Sequence, residues 1–259
     1  MTDVLTRPDA RYADLVGKVA VVTGGSRGIG AATAAALAAN GAAVAVVGRD
    51  LAAAEVAAKA IGDGGRAIAV AADCTVEADM TRLRDEVHAR LGTADVLVCF
   101  AGGSGEPVAT AAETAAHWRH VVDTNLTATY LTISAFLADL TATGGAIITM
   151  ASSSGRQPSG ASAAYAAAKA GVIGLTRHLA GELAPTRVRV NCLAPATVEN
   201  DRMRAHMTIE QRQALAASFP LGRIGQPADV AAATCYLASD ASSWVTGVTL
   251  DIAGGKVMP

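Results

Sequence analysis

Aromatic residues are scarce in this chain of 259 residues: they make up 3% of it, although hydrophobic residues as a whole make up 51%. The core must therefore be built mainly from alanine, valine, leucine and isoleucine, whose small side chains let helices and strands approach closely. Cysteine is also rare, and Cys74, Cys99, Cys192 and Cys235 are far apart with no C-x-x-C pair. Because no neighbouring histidine completes a set of metal ligands, we expect reduced, buried thiols and no metal site.

The chain also lacks a strong net charge and any long apolar run. Its formal net charge is -2, which leaves no positive field to gather the phosphates of nucleic acid. No stretch reaches the roughly 18 apolar residues that a membrane span requires. We therefore expect a cytoplasmic protein that binds neither nucleic acid nor membranes. No linker, repeat or block of like charge divides the sequence, so residues 1–259 are predicted to form a single domain, with 1–16 as an N-terminal extension.

Short apolar segments alternate with longer helix-favouring segments from residue 18 onward. The apolar segments are rich in β-branched residues and largely non-alternating, which is typical of strands covered on both faces. They cover residues 18–23, 42–48, 66–72, 94–101, 145–151, 187–194 and 247–253. The helix-favouring segments are 28–40, 50–61, 77–91, 113–139, 161–184 and 227–239. This alternation predicts an α/β fold, a Rossmann-type doubly wound parallel sheet of about seven strands with helices on both faces and ligands at the carboxyl ends of the strands.

A glycine-rich loop, TGGSRGIG at residues 23–30, lies between the first predicted strand and the first predicted helix. Gly24, Gly28 and Gly30 permit a tight turn and close approach of the backbone to a pyrophosphate, while the helix N-terminus supplies N–H donors. This position predicts a dinucleotide site. The same letters fit the G-x-S-x-G nucleophile elbow of α/β-hydrolases around Ser26. Because so few residues precede the loop, and no histidine lies in a loop after a late predicted strand, the hydrolase alternative ranks well below nucleotide binding.

The end of the second predicted strand indicates which dinucleotide fits. A site for NAD usually has an acidic residue about 20 residues beyond the glycine loop to accept from the ribose 2′-hydroxyl, whereas a 2′-phosphate requires arginine. This chain has Arg49 at that position and Arg27 within the loop. We therefore predict NADP(H) in preference to NAD(H); the alternative is that both arginines are merely solvated.

Tyr165 and Lys169 lie four residues apart in the alanine-rich segment SAAYAAAKAG, and a helix puts both on one face. An ammonium about 4 Å from a phenol contributes about 4 kcal/mol at an effective dielectric near 20, which would bring the pKa of Tyr165 from about 10 to near neutrality. Tyr165 would then pass a proton to a carbonyl oxygen while hydride reaches the carbon. Ser152, at the end of the fifth predicted strand, would donate a hydrogen bond to that oxygen, and Lys169 would also hold the nicotinamide ribose.

From about residue 17 to the C-terminus the chain resembles the short-chain dehydrogenase/reductase family, its 3-oxoacyl reductases in particular. The motifs that carry the resemblance are TGGSRGIG, Asp73 in ADCT, Asn125 in DTNLTATY, Ser152, the Tyr165 and Lys169 pair, LGRIGQPADVA and WVTGVTLDIAGG. The resemblance implies that Asp73 meets the adenine and that Asn125 holds a water linking Lys169 to solvent. It also implies a homotetramer paired through its long helices and its last strand. The alternatives are that Asp73 caps the following helix and that Asn125 satisfies the backbone in a helix kink.

The resemblance thereby implies two sets of site residues. The catalytic set is Asn125, Ser152, Tyr165 and Lys169. The cofactor-binding set is Gly24, Ser26, Arg27, Gly28, Ile29, Gly30, Arg49, Asp73, Cys74, Ala101, Gly102, Tyr165, Lys169, Pro195 and Val198. One departure concerns this set: Cys99 and Phe100 stand where the family usually has two asparagines. Two amides are thus missing beneath the cofactor, whereas backbone contact at Ala101 and Gly102 is unaffected.

The segment from Thr197 to Gln226 is predicted to form a mobile lid over the substrate. Its Met203, Met207 and Phe219 suit an apolar ketone, or they pack the lid against the body of the protein. Residues 139–145, DLTATGG, lack the basic side chains with which the family's carrier-protein reductases dock an acidic carrier. We therefore predict a free ketone, keto-ester or secondary alcohol as the substrate. The alternatives are a 3-oxoacyl-thioester reductase of fatty-acid or polyketide type, a nucleotide-sensing protein without turnover, and the serine hydrolase.

Overall fold

The computed structural model describes residues 11–62 and 66–258 of the chain. Its strands are β1 Val19–Thr23, β2 Ala43–Gly48, β3 Ala67–Ala71, β4 Val96–Cys99, β5 Ala146–Met150, β6 Arg189–Pro195 and β7 Thr249–Ile252. All the pairings between them are parallel, and they form one sheet in the order β3-β2-β1-β4-β5-β6-β7. Each strand overlaps its predicted segment, and the predicted doubly wound parallel sheet is confirmed.

The α-helices are α1 Gly28–Ala39, α2 Leu51–Ala60, α3 Glu77–Arg90, α4 Ala115–Val122, α5 Ala128–Thr143, α6 Ala163–Leu183, α7 Asp201–His206, α8 Ile209–Ala217 and α9 Pro227–Ala238. Residues 1–10 of the predicted N-terminal extension lie outside the described residues. The rest of the extension makes a short turn at Ala13–Leu15 that buries Leu15.

The sheet has a separate hydrophobic core on each face. On one face the side chains of α3, α5 and α6 pack together, with Phe136 and Leu140 fully buried. On the other face α1 and α9 cover the sheet, with Leu37 and Leu237 at the contact. Every residue of β1, β4 and β5 is buried because helices cover both faces, which explains why these strands are continuous apolar runs.

One predicted helix is interrupted. Residues 113–139 form α4 and α5 joined by a π-helical turn at Asp123–Thr127. The amide of Asn125 donates to the carbonyl of Val121 at 2.9 Å, and the hydroxyl of Thr129 donates to the carbonyl of Asn125 at 2.8 Å. These side-chain bonds compensate for the backbone bonds that the wider turn displaces, and such turns often occur at functional sites.

The chain reverses its direction of winding between β1 and β4, which are neighbours in the sheet. Loops after β1 and β4 therefore diverge and leave a crevice at the carboxyl edge, the usual ligand site of such sheets. Thr23 and Cys99 are register partners, so the two strands end level with each other at this crevice.

Candidate active site

The glycine loop after β1 leaves the N-terminus of α1 without a capping side chain. Arg27 occupies the N-cap position, and its side chain makes no capping hydrogen bond, whereas Asp50 caps α2 and Ser162 caps α6. Gly28 has φ of +54°, and a Cβ there would meet no atom within 4 Å. An uncapped helix N-terminus with open backbone beside it fits an anionic phosphate, so these residues suit the pyrophosphate of a dinucleotide. Ser26, Ile29 and Gly30 lie in the same loop and first turn.

Thr23 holds the ends of β1 and β4 together beneath this loop. Its buried hydroxyl donates to the carbonyl of Val98 at 3.2 Å and accepts from the amides of Phe100 and Ala101, at 3.1 and 3.3 Å. These bonds use backbone atoms, so they are independent of the two family asparagines that Cys99 and Phe100 replace. Sequence reasoning missed Thr23, although a hydroxyl directly before the glycine loop at a strand end was a usable signal.

Arg27, Arg49 and Asp73 lie at the carboxyl edge of the sheet, near the ends of β1, β2 and β3. Both arginines are exposed, and their side chains form no hydrogen bond or ion pair with another described residue. Hydrogen bonds from Thr75 lower the pKa of Asp73, and the charge of Arg49 lowers it further, which places that arginine near the carboxylate. Asp73 does not cap α3, whose N-cap is Val76; its carboxylate instead accepts the amide and hydroxyl of Thr75 in the turn before the helix.

Cys74, next in the chain, is buried, and burial raises the pKa of its thiol to about 11. Its side chain belongs to the core on the α3 side of the sheet. Only its backbone can therefore contribute to a cofactor site.

Ser152, Tyr165 and Lys169 come together where β5 ends and α6 begins. Ser152 follows β5 directly after Ala151, and its hydroxyl lies close enough to the phenol of Tyr165 to lower the pKa of that group. Ser162 caps α6 by accepting from the amide of Tyr165 at 3.3 Å. The ammonium of Lys169 lies 5.6 Å from the centroid of the Tyr165 ring. A hydroxyl, a phenol and an amine are thus placed on one small region of the sheet edge.

The structure corrects the expectation that Lys169 brings the pKa of Tyr165 near neutrality. Burial raises the pKa of Tyr165, and the hydrogen bond with Ser152 only partly opposes that effect. The physical reason is the position of the amine, which faces the aromatic ring and donates to the carbonyl of Met150 at 2.8 Å. Lys169 is itself buried, and burial lowers its pKa from 10.5 to about 8.

Asn125 is fully buried in the π-helical turn. Besides its bond to Val121, its amide donates to the carbonyl of Gly103 at 3.1 Å, and its side-chain oxygen accepts the amide of Gly103 at 3.1 Å. A Cβ at Gly102 would lie 2.5 Å from that oxygen, so the close approach requires glycine. Asn125 therefore satisfies the backbone of the helix kink and also fixes the loop after β4. Its role in holding a water stays a prediction.

The predicted lid begins at the end of β6. Pro195 is the last residue of that strand, and Val198 forms an isolated bridge with Gly225 that brings the two ends of the segment together. Between them lie α7 and α8, neither of which the sequence analysis anticipated. Phe219 is buried, whereas Met203 and Met207 are partly exposed, so only Phe219 clearly packs the segment against the body.

The predicted lid segment contacts the loop after β4. Arg202 of α7 forms an ion pair with Glu106 in the loop after β4, with N···O distances of 2.7 and 2.9 Å. Because β5 lies between β4 and β6 in the sheet, this pair bridges the edge at which Ser152 is placed. Both side chains are exposed, so the pair contributes about 0–1 kcal/mol to holding the two segments together.

The fold and the site together define a dinucleotide-binding oxidoreductase, and comparison with known proteins identifies its family. A family model described as enoyl-(acyl carrier protein) reductase matches residues 24–256. The cis-4-hydroxycyclohexanecarboxylate dehydrogenase of Sinomonas cyclohexanicum is 42% identical over 241 residues, covering 92% of this chain and 96% of that protein. The 3-oxoacyl-[acyl-carrier-protein] reductase of Escherichia coli K12 is 37% identical over 245 residues, covering 93% and 98%.

Among solved structures, a 3-oxoacyl-[acyl-carrier protein] reductase of Brucella melitensis has a TM-score of 0.91 and 32% identity, covering 100% of this chain and 99% of that one. The chain therefore belongs to the short-chain dehydrogenase/reductase family, as its motifs indicate, and it is an oxidoreductase of the kind that uses a nicotinamide cofactor.

The structure also bears on a membrane span, on a metal centre and on the serine hydrolase alternative. In residues 11–62 and 66–258 no helix is both long and apolar enough to cross a membrane, and no three His, Cys, Asp or Glu side chains are grouped as metal ligands. The hydrolase alternative around Ser26 gains no support, because no histidine among the described residues is hydrogen-bonded to Ser26.

Burial of Lys169 predicts a particular pH dependence of stability. Because its pKa is about 8 in the folded protein and 10.5 ordinarily, the unfolded chain binds more protons between these values, and stability rises with pH across that interval. The free energy of unfolding of the wild type, relative to Lys169→Met, should therefore increase from pH 8 towards pH 10.5 in urea titrations. Lys59→Met, at an exposed lysine of α2, serves as the control and should show no such trend. A constant difference between the wild type and Lys169→Met would contradict the burial effect.

Proposed function

We propose that this protein is an NADP-dependent oxidoreductase that interconverts a ketone or keto-ester and a secondary alcohol. The observation that carries the proposal is the placement of Ser152, Tyr165 and Lys169 at the carboxyl edge of β5, with the uncapped N-terminus of α1 at the end of β1 in the same sheet. The bound nicotinamide would supply or accept the hydride. Every other step falls to residues of this chain.

Tyr165 is the proposed proton donor to the carbonyl oxygen. Because burial raises the pKa of its phenol, the group is protonated at neutral pH, which is the state that ketone reduction requires. Ser152 donates a hydrogen bond to the same oxygen and stabilises the charge that develops there. Lys169, with a pKa of about 8, is able to exchange a proton near neutral pH and to hold the cofactor ribose. In alcohol oxidation the deprotonated form of Tyr165 would accept the proton of the alcohol.

The preference for NADP(H) rests on Arg27 and Arg49. Both are exposed, their side chains form no hydrogen bond or ion pair within the described residues, and they lie in the loops that follow β1 and β2. Two unpaired guanidinium groups favour a 2′-phosphate, because charge-assisted bonds to phosphate are strong and often bidentate. Gly24, Gly28 and Gly30 would receive the pyrophosphate, Asp73 and the Cys74 backbone the adenine, and Ala101, Gly102, Pro195 and Val198 the nicotinamide half.

The substrate is proposed to be a free carbonyl compound. Residues 139–145 carry no lysine or arginine to dock an acidic carrier, and the relative from Sinomonas cyclohexanicum is named for a small cyclic hydroxy acid. The second candidate is a 3-oxoacyl thioester, which the similarity to the Escherichia coli reductase favours. NADPH oxidation over ketones, keto-esters, 4-oxocyclohexanecarboxylate and a 3-oxoacyl thioester separates the two. Binding of NADPH without turnover of any of them would favour the nucleotide-sensing alternative.

The proposed enzyme is a cytoplasmic homotetramer. The outer edge of β7 is unpaired among the described residues, and apolar side chains surround it: Trp244 is 99% exposed, and Val248 and Leu250 are 40% and 38% exposed. Tyr130 of α5 and Trp118 of α4 are exposed as well. Apolar side chains grouped in this way favour contact with further copies of the chain. All four cysteines are buried and unpaired, as suits a reducing compartment.

Tyr165→Phe tests the proposed proton donor. The variant should reduce its best ketone at least about 100-fold more slowly, because proton transfer is lost, while its Kd for NADPH changes less than about twofold. Steady-state NADPH oxidation and fluorescence titration measure the two quantities. Tyr236→Phe, at a half-buried tyrosine of α9, is the matched control. Wild-type turnover by Tyr165→Phe would exclude this role.

Arg49→Ala tests the cofactor preference. Loss of a charged hydrogen bond to the 2′-phosphate should raise KM for NADPH by about 10-fold to 100-fold and leave KM for NADH unchanged. Arg90→Ala, at an exposed arginine ending α3, controls for the loss of one surface charge. Equal changes with both cofactors, or a wild-type enzyme that prefers NADH, would overturn the NADP assignment.

Trp244→Glu tests the tetramer. A buried charge at the proposed interface should give species smaller than the tetramer in sedimentation or light scattering. Val56→Glu places the same charge at a 71% exposed residue of α2 and should not change the mass. A wild-type monomer, or a tetramer that tolerates Trp244→Glu, would disprove this arrangement.

A further inference from the structure

Glu113 is a buried carboxylate outside the proposed catalytic set. Its side chain is only 5% exposed, although it lies in the loop between β4 and α4, where glutamate is ordinarily solvated. One carboxylate oxygen is 3.0 Å from Nδ1 of His117, in the first turn of α4. The other accepts the backbone N–H of Ala164, the second residue of α6, at 3.3 Å. Each oxygen therefore has a separate partner, and the two partners lie on different helices.

The two helices joined in this way carry the proposed catalytic groups. Ala164 directly precedes Tyr165, and Lys169 lies one turn further along α6. His117 lies in the first turn of α4, the helix that leads through the π-helical turn to Asn125. The contact lies at the beginning of both helices, which pack against each other, and α6 also packs against the turn that follows Ser152.

The bonding suits the first turn of α6. The amides of a helix N-terminus lack partners within the helix, and a carboxylate there interacts favourably with the helix dipole. Ser162 satisfies the amide of Tyr165, and Glu113 satisfies that of Ala164. Because a buried charge is costly unless it is hydrogen-bonded, the two bonds hold each other in place: loss of either leaves the carboxylate poorly satisfied.

We propose that Glu113 is a positioning residue for Tyr165: it fixes the first turn of α6 against α4 and thereby sets where the phenol meets the substrate oxygen. This inference rests on the proposed function. Glu113 acts through Ala164 and is not a catalytic residue, since no contact joins it to the phenol.

Glu113 affects the position of the Tyr165 phenol and not its pKa. The causes that move the pKa of Tyr165 are burial and the bond with Ser152, and the charge of Glu113 is not among them. A neutral side chain with the same hydrogen-bonding capacity should therefore suffice. Glutamine offers a carbonyl oxygen for Ala164 and an NH₂ group for a deprotonated His117 nitrogen.

The test compares Glu113→Ala with Glu113→Gln. Glu113→Ala should lower kcat for ketone reduction about 10-fold, since a small misplacement of a reacting group is costly, while KM and the Kd for NADPH change less than about twofold. Glu113→Gln should restore kcat to within about threefold of the wild type. Thr114→Ala is the matched control. It removes the cap of α4, in which the Thr114 hydroxyl accepts the backbone amide of His117 at 3.1 Å, and it leaves the bond between Glu113 and Ala164 intact. Thr114→Ala should keep the wild-type kcat.

Hydrogen exchange of residues 163–169 provides a readout independent of turnover. These amides should exchange faster in Glu113→Ala than in the wild type, Glu113→Gln or Thr114→Ala. If the wild type reduces no ketone, the proposed function fails, yet the exchange rates still report whether Glu113 fixes α6. Unchanged exchange, or faster exchange with unchanged kcat in an active enzyme, overturns the inference. If Glu113→Ala does not fold, His117→Ala replaces it. We expect the same lower kcat and the same faster exchange of residues 163–169, and an unchanged exchange rate, or an unchanged kcat in an active enzyme, would again overturn the inference.

Discussion

The hydrogen bond from Lys169 to the carbonyl of Met150 is the contact on which the arrangement of the site depends. A buried ammonium needs strong acceptors, and this one finds its acceptor on the last residue of β5. The bond fixes α6 to the end of β5, two residues before Ser152. Because Tyr165 lies one helical turn before Lys169, fixing the amine also fixes the phenol over the end of the strand. The geometry of the site thus follows from the position at which the buried ammonium of Lys169 finds a hydrogen-bond acceptor.

The same contact explains why the simple electrostatic account of Tyr165 is incomplete. An amine at the correct spacing in sequence was expected to face the phenol oxygen. It instead faces the ring, at 5.6 Å from the centroid, and gives its hydrogen bond to the backbone. Burial then decides the direction in which the pKa of each group moves: the phenol is kept protonated, and the amine gives up its proton more readily. Both directions suit a donor phenol with an amine able to resupply it.

The sequence predicted the sheet well because central parallel strands must be continuously apolar and helices must lie between them. The positions of Ser152, Tyr165 and Lys169 at strand and helix ends followed from the same pattern. The π-helical turn at Asn125 was not predictable from helix-favouring composition, because it depends on where side-chain amides and hydroxyls find acceptors. Glu113 and Thr23 escaped notice for a similar reason: their partners are backbone groups distant in sequence, at Ala164 and Phe100. The orientation of the Lys169 amine likewise depended on an acceptor that spacing does not reveal.

The uncapped N-terminus of α1 has a consequence for the protein as a whole. Side chains satisfy the first amides of α2, α4 and α6, whereas no side chain does so for α1. If the dinucleotide of the proposed function supplies that contribution to α1, the folding of the protein is linked to the concentration of the dinucleotide. A dinucleotide present at about 100 times its Kd adds about 2.7 kcal/mol to the free energy of unfolding. The coenzyme pool would thereby influence how long each molecule stays folded as well as how fast it works.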